Sequence, residues 1–274
     1  MSKLFCGTKE LDISTPVVMG ILNLTPDSFF DGGKFLSPDN QLHQVEKMLK
    51  DGASIIDVGA VSTRPGAAEV DEPEELRRLL PAIKSILENF PGCILSVDTY
   101  RPNVAQAAVE HGAAMINDIY GGRYREGMLE TVAAMGVPYI LMHMKGSPAN
   151  MQHDPTYSNV VAEVVYFFEN QLQKCREIGL HQVIIDPGFG FGKTVEQNFE
   201  LLARLEEFKS TGAPILVGLS RKSMINRLLT IKASEALNGT TVLNTIALMK
   251  GADILRVHDV KEAMETIKLV KMLG

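Results

Sequence analysis

Short apolar runs, mostly of β-branched residues, alternate with amphipathic segments along nearly the whole chain. Each run is announced by a glycine: Gly52 before ASIIDVG, Gly112 before AAMINDI, Gly136 before VPYILMHM, Gly179 before LHQVIIDPG, Gly212 before APILVGLS and Gly251 before ADILRVHD. Glycine ends a helix cheaply because it can take the left-handed conformation there. Pro91-Gly92 plays the same part before CILSVD, and Val17 to Asn23 (VVMGILN) supplies a first strand. The pattern predicts eight strands, near 17–23, 54–59, 93–98, 115–119, 138–144, 183–187, 214–220 and 254–258. Strands that alternate with helices make parallel βαβ units with right-handed crossovers. Eight such units in about 250 residues are the arithmetic of a (β/α)8 TIM barrel. An open doubly wound sheet is the alternative, but the even repeat favours one barrel domain over residues 1–274. Pro81, inside the helical stretch from Pro73 to Phe90, predicts a kink or break.

The two ends of this barrel differ. Helix-to-strand connections are short, whereas Leu24–Asp39, Ala60–Glu72 and Lys145–Asn159 are long strand-to-helix connections. Loops of that length in a compact domain are usually functional, and these leave the C-terminal ends of strands, where barrel active sites lie.

Composition narrows the choice of partners. The chain has 274 residues, 45% hydrophobic and 22% charged, with a formal net charge of -6, which gives no support to nucleic-acid binding. No run of about 18 apolar residues is present, so no membrane span is expected. The N-terminus lacks the apolar core of a signal peptide. Cys6, Cys93 and Cys175 are odd in number and form no C-x-x-C pair, which fits a reducing cytoplasm. The Gly-rich stretch Asp186-Pro187-Gly188-Phe189-Gly190-Phe191-Gly192-Lys193-Thr194 imitates two nucleotide motifs and satisfies neither. Pro187 stands where a phosphate-cradling loop needs its first glycine, and Lys193 where a dinucleotide fingerprint needs its last.

Polar residues gather where the strands end. The rim carries Asn23; Thr63 and Arg64; Asp98; Asn117 and Asp118; His143 and Lys145; Asp186; Ser220, Arg221 and Lys222; Arg256 and His258. Asn23, Thr63, Arg64, Arg256 and His258 come from strands one, two and eight, which adjoin in a closed barrel, and form an anion site large enough for more than one phosphate. Asn23 offers the neutral oxygen that Mg²⁺ accepts when phosphate and water supply the rest. Asp98, Asn117, Asp186 and Lys222 can pair with a flat heterocycle that shows N–H donors and a carbonyl. An ion pair between Lys222 and Asp186 would be compatible with that role.

These residues carry a resemblance. The chain resembles the dihydropteroate synthases over nearly its whole length, through Met19-Gly20-Ile21-Leu22-Asn23-Leu24-Thr25-Pro26-Asp27-Ser28-Phe29, Ser62-Thr63-Arg64-Pro65-Gly66-Ala67 and Ser96-Val97-Asp98-Thr99. It continues through Ile116-Asn117-Asp118, Met142-His143-Met144-Lys145-Gly146, the Asp186–Lys193 stretch, Ser220-Arg221-Lys222-Ser223 and Arg256-Val257-His258-Asp259. Where that family often has Gly-Glu, this chain has Ala60-Val61. The resemblance implies a condensation of (7,8-dihydropterin-6-yl)methyl diphosphate with 4-aminobenzoate. It implies Mg²⁺ at Asn23 and diphosphate at Thr63, Arg256 and His258. The pterin would lie on Asp98, Asn117, Asp186 and Lys222. Phe189, Lys222 and Ser223 would line the 4-aminobenzoate pocket, with Phe29 and Pro65 closing over it and Asp31 and Arg64 taking part in catalysis. A pterin-dependent methyltransferase barrel is the nearest rival, and it would need no diphosphate site. The resemblance also implies a homodimer, and the uncharged stretch Ala236–Met249 is the candidate contact. Both loops bearing Phe29 and Pro65 lack helical or strand periodicity, so ligand-dependent ordering of the 4-aminobenzoate pocket is expected.

Overall fold

The computed structural model describes residues 2–25, 37–62, 70–147, 151 and 155–273. The chain opens with a hairpin, β1 (Lys3–Cys6) and β2 (Lys9–Asp12), paired antiparallel. The units of the barrel follow. They are β3 (Val17–Asn23) and α1 (Pro38–Lys50), β4 (Ile55–Gly59) and α2 (Glu72–Asn89), then β5 (Leu95–Asp98) and α3 (Pro102–Glu110). Next come β6 (Met115–Asp118) and α4 (Met128–Met135), β7 (Tyr139–Met142) and α5 (Val160–Glu177), and β8 (Val183–Asp186) and α6 (Val195–Ala203). The last are β9 (Leu216–Val217) with α7 (Ser223–Leu229) and α8 (Leu237–Met249), and β10 (Ile254–Val257) with α9 (Val260–Lys271).

Eight parallel strands lie in the order β8-β7-β6-β5-β4-β3-β10-β9. A parallel bridge between Ile185 and Ile215 joins the two ends, with the Ile185 N–H donating to the Pro214 carbonyl at 2.9 Å. The sheet is a closed barrel ringed by helices. Its predicted strands all form, within about two residues at their ends, except that 214–220 shortens to Leu216–Val217. Pro214 has no N–H to give a ladder, and the Ile215 N–H is taken by Asp253 Oδ2 at 2.7 Å.

Helix starts are fixed by side chains that accept orphan N–H groups. Asp71 and Asn159 cap α2 and α5, and Thr194 forms a reciprocal capping box with Gln197 at α6. Of the kink or break expected at Pro81, the break does not occur: α2 runs through it for 18 residues. Pro81 is exposed, so the carbonyl displaced by its ring turns toward water, which can satisfy it.

Side chains alternate across each strand. Val18, Ile56, Val58, Val97, Ile116, Leu141, Ile185 and Leu255 belong to the main core between sheet and helices. Met19, Ile55, Met115, Ile140, Ile184, Leu216 and Ile254 form a second buried cluster with Leu4, Cys6, Leu11 and Ile13 of the hairpin segment. The hairpin, absent from the sequence reading, therefore plugs the N-terminal end. The three cysteines are free and buried, and burial pushes each thiol up to about 11.

Candidate active site

Two residues beyond that apolar floor, on the same face of four strands, the barrel turns polar. Ile55 leads to Asp57, Met115 to Asn117, Ile184 to Asp186, and Ile254 to Arg256 then His258. The parallel registers place Asn23 beside Gly59, Gly59 beside Asp98 and Asp98 beside Asn117, so four neighbouring strands end at one level. Gly59 leaves room there, because a Cβ on it would stand 3.4 Å from the Asp98 Cβ. Above this level opens a cavity of about 270 Å³, lined by Asn23, Thr25, Asp98, Ser220, Lys222, Arg256 and His258 among others.

One side of the cavity is a charge network. Arg256 Nε donates to Asp57 Oδ2 at 2.7 Å, and its Nη2 to Asp98 Oδ2 at 3.1 Å. Asn117 Nδ2 donates to the same Asp57 oxygen at 3.0 Å. Burial pushes Asp98 up to about 7, with Arg256 pulling the other way and Asp57 adding to the rise. Asp186 is also raised by burial, opposed first by the charge of Lys222. Burial brings Lys222 down to about 8 while Asp186 works to hold its proton. Lys222 Nζ donates to the Phe189 carbonyl and stands 4.9 Å from the centre of the Phe191 ring. The ammonium acts on Asp186 through space, and its hydrogen bond is to the Gly-rich loop.

That loop owes its composition to close packing. A Cβ at Gly188 would meet the His143 carbonyl oxygen at 1.9 Å, and one at Gly192 the Lys145 carbonyl oxygen at 2.3 Å. Lys193 pins the crossing: its buried Nζ donates to the carbonyls of Gly188 at 2.9 Å, Phe191 at 3.0 Å and His143 at 3.3 Å. Asp186 Oδ1 accepts the Gly188 N–H at 2.8 Å. The loop that resembled a nucleotide motif is a carbonyl cage around an ammonium.

In the same cavity, Ser220 Oγ accepts the His258 backbone N–H at 3.2 Å and lies 3.0 Å from His258 Nδ1. The Ser220 hydroxyl is thereby the partner of Nδ1, as donor or acceptor according to the tautomer, and holds the ring in place.

The structure thus brings Asn23, Asp98, Asn117, Asp186, Lys222, Arg256 and His258 together at one mouth. Phe189 is fully buried in the main core, so its carbonyl is what Lys222 meets. Ser223 is exposed at the first turn of α7. Phe29, Asp31, Thr63, Arg64 and Pro65 lie outside the described residues. Other rim candidates stand elsewhere. Asp118 accepts the Tyr139 hydroxyl at 2.6 Å and the N–H groups of Tyr120 and Gly122, each at 2.8 Å. His143 is buried beside Lys193 and Lys145 lies over the Tyr157 ring, whereas Arg221 does line the cavity while making a two-pronged pair with Asp259. Asp57 and Lys193 were not among the sequence candidates. The departure at Ala60-Val61 is absorbed: the Ala60 carbonyl accepts Arg78, and Val61 packs with an apolar cluster that includes Tyr100 and Met144.

The profile of the pterin binding enzymes matches residues 19–258. Dihydropteroate synthase of Escherichia coli K12 is 48% identical over 271 residues, 98% of this chain and 95% of that protein. The crystal structure of Yersinia pestis dihydropteroate synthase with a sulfonamide drug superposes with a TM-score of 0.95 at 44% identity, over 99% of this chain and 98% of that one. The Xanthomonas albilineans enzyme with 4-aminobenzoic acid gives 0.91 at 38% identity, over 99% and 98% of the two chains. On profile, sequence and fold together, the chain belongs to the pterin-binding enzymes, within the dihydropteroate synthase family.

Proposed function

We infer that the chain is a transferase that condenses (7,8-dihydropterin-6-yl)methyl diphosphate with 4-aminobenzoate, giving 7,8-dihydropteroate and diphosphate. The observation that carries this reading is the division of one barrel mouth. Asp98, Asn117, Asp186 and Lys222 offer a hydrogen-bonding floor, and Arg256, bridged to that floor through Asp98 and Asp57, offers donors beside His258. A flat heterocycle with N–H donors suits the carboxylates, and a diphosphate suits the guanidinium and imidazole. By sequence, Thr63 and Arg64 add to the diphosphate side, Asp31 takes part in catalysis, and Phe29, Pro65 and Ser223 complete the 4-aminobenzoate pocket. Phe189 contributes the carbonyl that orients Lys222.

In this reading the arylamine nitrogen forms a bond to the pterin methylene carbon as its C–O bond to diphosphate breaks, and the new C–N centre sheds one proton. No protein nucleophile takes part. Positive charge that develops on the methylene spreads into the dihydropterin ring, where ionised Asp98 and Asp186 stabilise it. Arg256 and the imidazole of His258 hold the departing diphosphate. Water would capture the same carbon, so its exclusion from the mouth protects the product.

Asn23 fits a magnesium site. It lines the cavity, its side chain makes no hydrogen bond to another described residue, and no cluster of three His, Cys, Asp or Glu side chains stands among the described residues. That donor set suits Mg²⁺, which keeps waters and substrate phosphate oxygens. Bound there, Mg²⁺ would supply charge neutralisation on diphosphate.

The reading extends to a homodimer. Leu228 and Leu229 of α7 and Val242 and Met249 of α8 are exposed by 50% or more. The two helices pack closely, since a Cβ on Gly239 would meet Ile225 Cγ2 at 2.4 Å. A second copy would cover this apolar surface. Among the described residues no helix is long and apolar enough to cross a membrane, which agrees with a cytoplasmic enzyme.

The test is direct: Mg²⁺, pterin diphosphate and labelled 4-aminobenzoate are mixed with the protein, and labelled dihydropteroate is sought. Binding of the pterin without turnover would sink the assignment.

A further inference from the structure

Asp57 is the most enclosed charged group near the mouth, with no exposed surface at all. It interrupts the apolar run Ile55-Ile56-Asp57-Val58, and its registered neighbours on either side are Ile21 and Ser96. One oxygen carries its whole load: Oδ2 accepts Arg256 Nε at 2.7 Å and Asn117 Nδ2 at 3.0 Å. The other, Oδ1, is buried and makes no hydrogen bond among the described residues. Such an arrangement is poor value for folding. An idle buried carboxylate oxygen costs free energy, and a buried ion pair is weak evidence for stability.

What Oδ2 achieves is geometric. Arg256 comes from β10 and Asn117 from β6, four strands apart around the barrel through β3, β4 and β5. In the proposed reading Arg256 faces the diphosphate and Asn117 the pterin. A single atom on β4 joins them, and Arg256 reaches on to Asp98 from that anchor.

We propose that Asp57 is a positioning residue for the condensation, its Oδ2 holding the Arg256 guanidinium and the Asn117 amide at one fixed spacing so that pterin and diphosphate engage together. It touches neither substrate in this scheme and acts through the two side chains. It also acts on Asp98, which is faced by Arg256, Asp57, Glu75 and Asp118, by sharing the one guanidinium that neutralises it. This proposal rests on the pterin-diphosphate reading of the mouth.

The experiment compares wild type with Asp57→Asn and Asp57→Glu in dihydropteroate synthesis, with melting curves as the folding control. Asp57→Asn removes the charge while its amide oxygen can still stand where Oδ2 accepts, so the Arg256 ion pair is lost and both hydrogen bonds become neutral-acceptor ones. The expected result is a fall of about tenfold or more in kcat/KM for pterin diphosphate, the size of one lost charge-assisted hydrogen bond, with KM for 4-aminobenzoate at saturating pterin diphosphate unchanged. With Arg256 left to Asp98 alone, the acid limb of that kcat/KM profile moves to lower pH. Asp57→Glu keeps the charge but displaces the oxygen, so it loses pterin diphosphate affinity while the acid limb stays nearer its wild-type position. It carries the test if Asp57→Asn does not fold. Coupling is read by adding Asn117→Ala, whose cost shrinks in the Asp57→Asn background because the two residues act as one unit. Wild-type pterin kinetics in both variants, or full additivity with Asn117→Ala, would overturn the proposal. A wild-type protein that makes no dihydropteroate would instead overturn the reading on which it rests.

Discussion

The hydroxyl of Ser220 accepts the backbone N–H of His258 at 3.2 Å and lies 3.0 Å from that residue's Nδ1. Ser220 is buried, and both residues line the cavity. The hydroxyl keeps its hydrogen and a second lone pair for Nδ1, so one side chain holds both the backbone and the ring of His258.

Ser220→Ala removes the partner of Nδ1, so the ring loses the orientation and tautomer preference that the hydroxyl enforces. We expect kcat/KM for pterin diphosphate to fall by about tenfold, the worth of one hydrogen bond to a charged group, with little change in melting temperature. Nitrogen-15 chemical shifts of the imidazole supply the decisive readout. A wild-type pattern of Nδ1 and Nε2 shifts in the variant would show that Ser220 does not set the tautomer.

The pH profile follows from two groups with opposite charge requirements. Asp98 must be ionised to accept N–H donors from the ring, and its carboxyl titrates near 7 in the free protein. Lys222 must keep its proton to donate, and it titrates near 8. Protonation of Asp98 as pH falls through about 7 therefore weakens pterin capture, and loss of the Lys222 proton above about 8 weakens it again. The plot of kcat/KM for pterin diphosphate against pH is expected to be a narrow bell with its top between those limbs, which belong to the free enzyme. A flat profile across this range would remove both groups from substrate recognition.

Much of this mouth was legible because strand ends were marked. Gly-led apolar runs ended on Asn23, Asp98, Asn117, Asp186, Arg256 and His258, and the structure gathers all six. The misplacements share one physical cause. Asn117 and Asp118 are consecutive in a strand, so one faces the barrel interior and the other the helices; Asp118 is spent on Tyr139 and a turn. His143 follows Met142 in the same way and joins Lys193 outside the mouth. Counting in twos from the floor residues would have separated them, and it would also have found Asp57, two residues after Ile55. The hairpin was missed because four-residue strands carry little periodic signal, although Leu4, Cys6, Leu11 and Ile13 alternate as buried positions. Lys193 was weighed against nucleotide motifs and as the end of the Asp186–Lys193 stretch, not as a site residue. Its true partners are carbonyls, which every residue has, so nothing in the sequence pattern points to them.

Lys193 offers a test of how the floor is supported. Its ammonium is buried, held well below the usual lysine range first by that burial, and satisfied by three carbonyls. Lys193→Met fills similar space and leaves those acceptors without a donor, each such loss costing about 1–3 kcal/mol, less the cost of burying the charge. We expect a clearly lower melting temperature and weaker pterin affinity, because the same loop presents the Phe189 carbonyl to Lys222. Thermal unfolding and pterin titration should move together. Lowered stability with wild-type pterin affinity would mean the loop holds its shape without this lysine.

The last prediction concerns the apolar face of α7 and α8. Helix α8 contains no charged residue, yet it is not wholly covered by its neighbours: Val242 is 50% exposed and Met249 66% exposed. Leu228 on α7 adds a third large apolar side chain, at 62%. Leu248, although next to Met249, is only 8% exposed and belongs to the main core, so a charge placed there would damage the fold instead of the surface. Val242→Asp and Met249→Glu are the informative changes. Each puts a carboxylate where solvent already reaches in a single copy, so the folded monomer should tolerate it with a small change in stability. At a face shared by two copies the same carboxylate must be desolvated, and around a two-fold axis it is introduced twice. Sedimentation should therefore find the wild type dimeric at micromolar concentration and both variants shifted toward monomer, with melting no longer dependent on protein concentration. A wild type that sediments as a monomer under those conditions would leave this face to solvent and remove the homodimer from the reading.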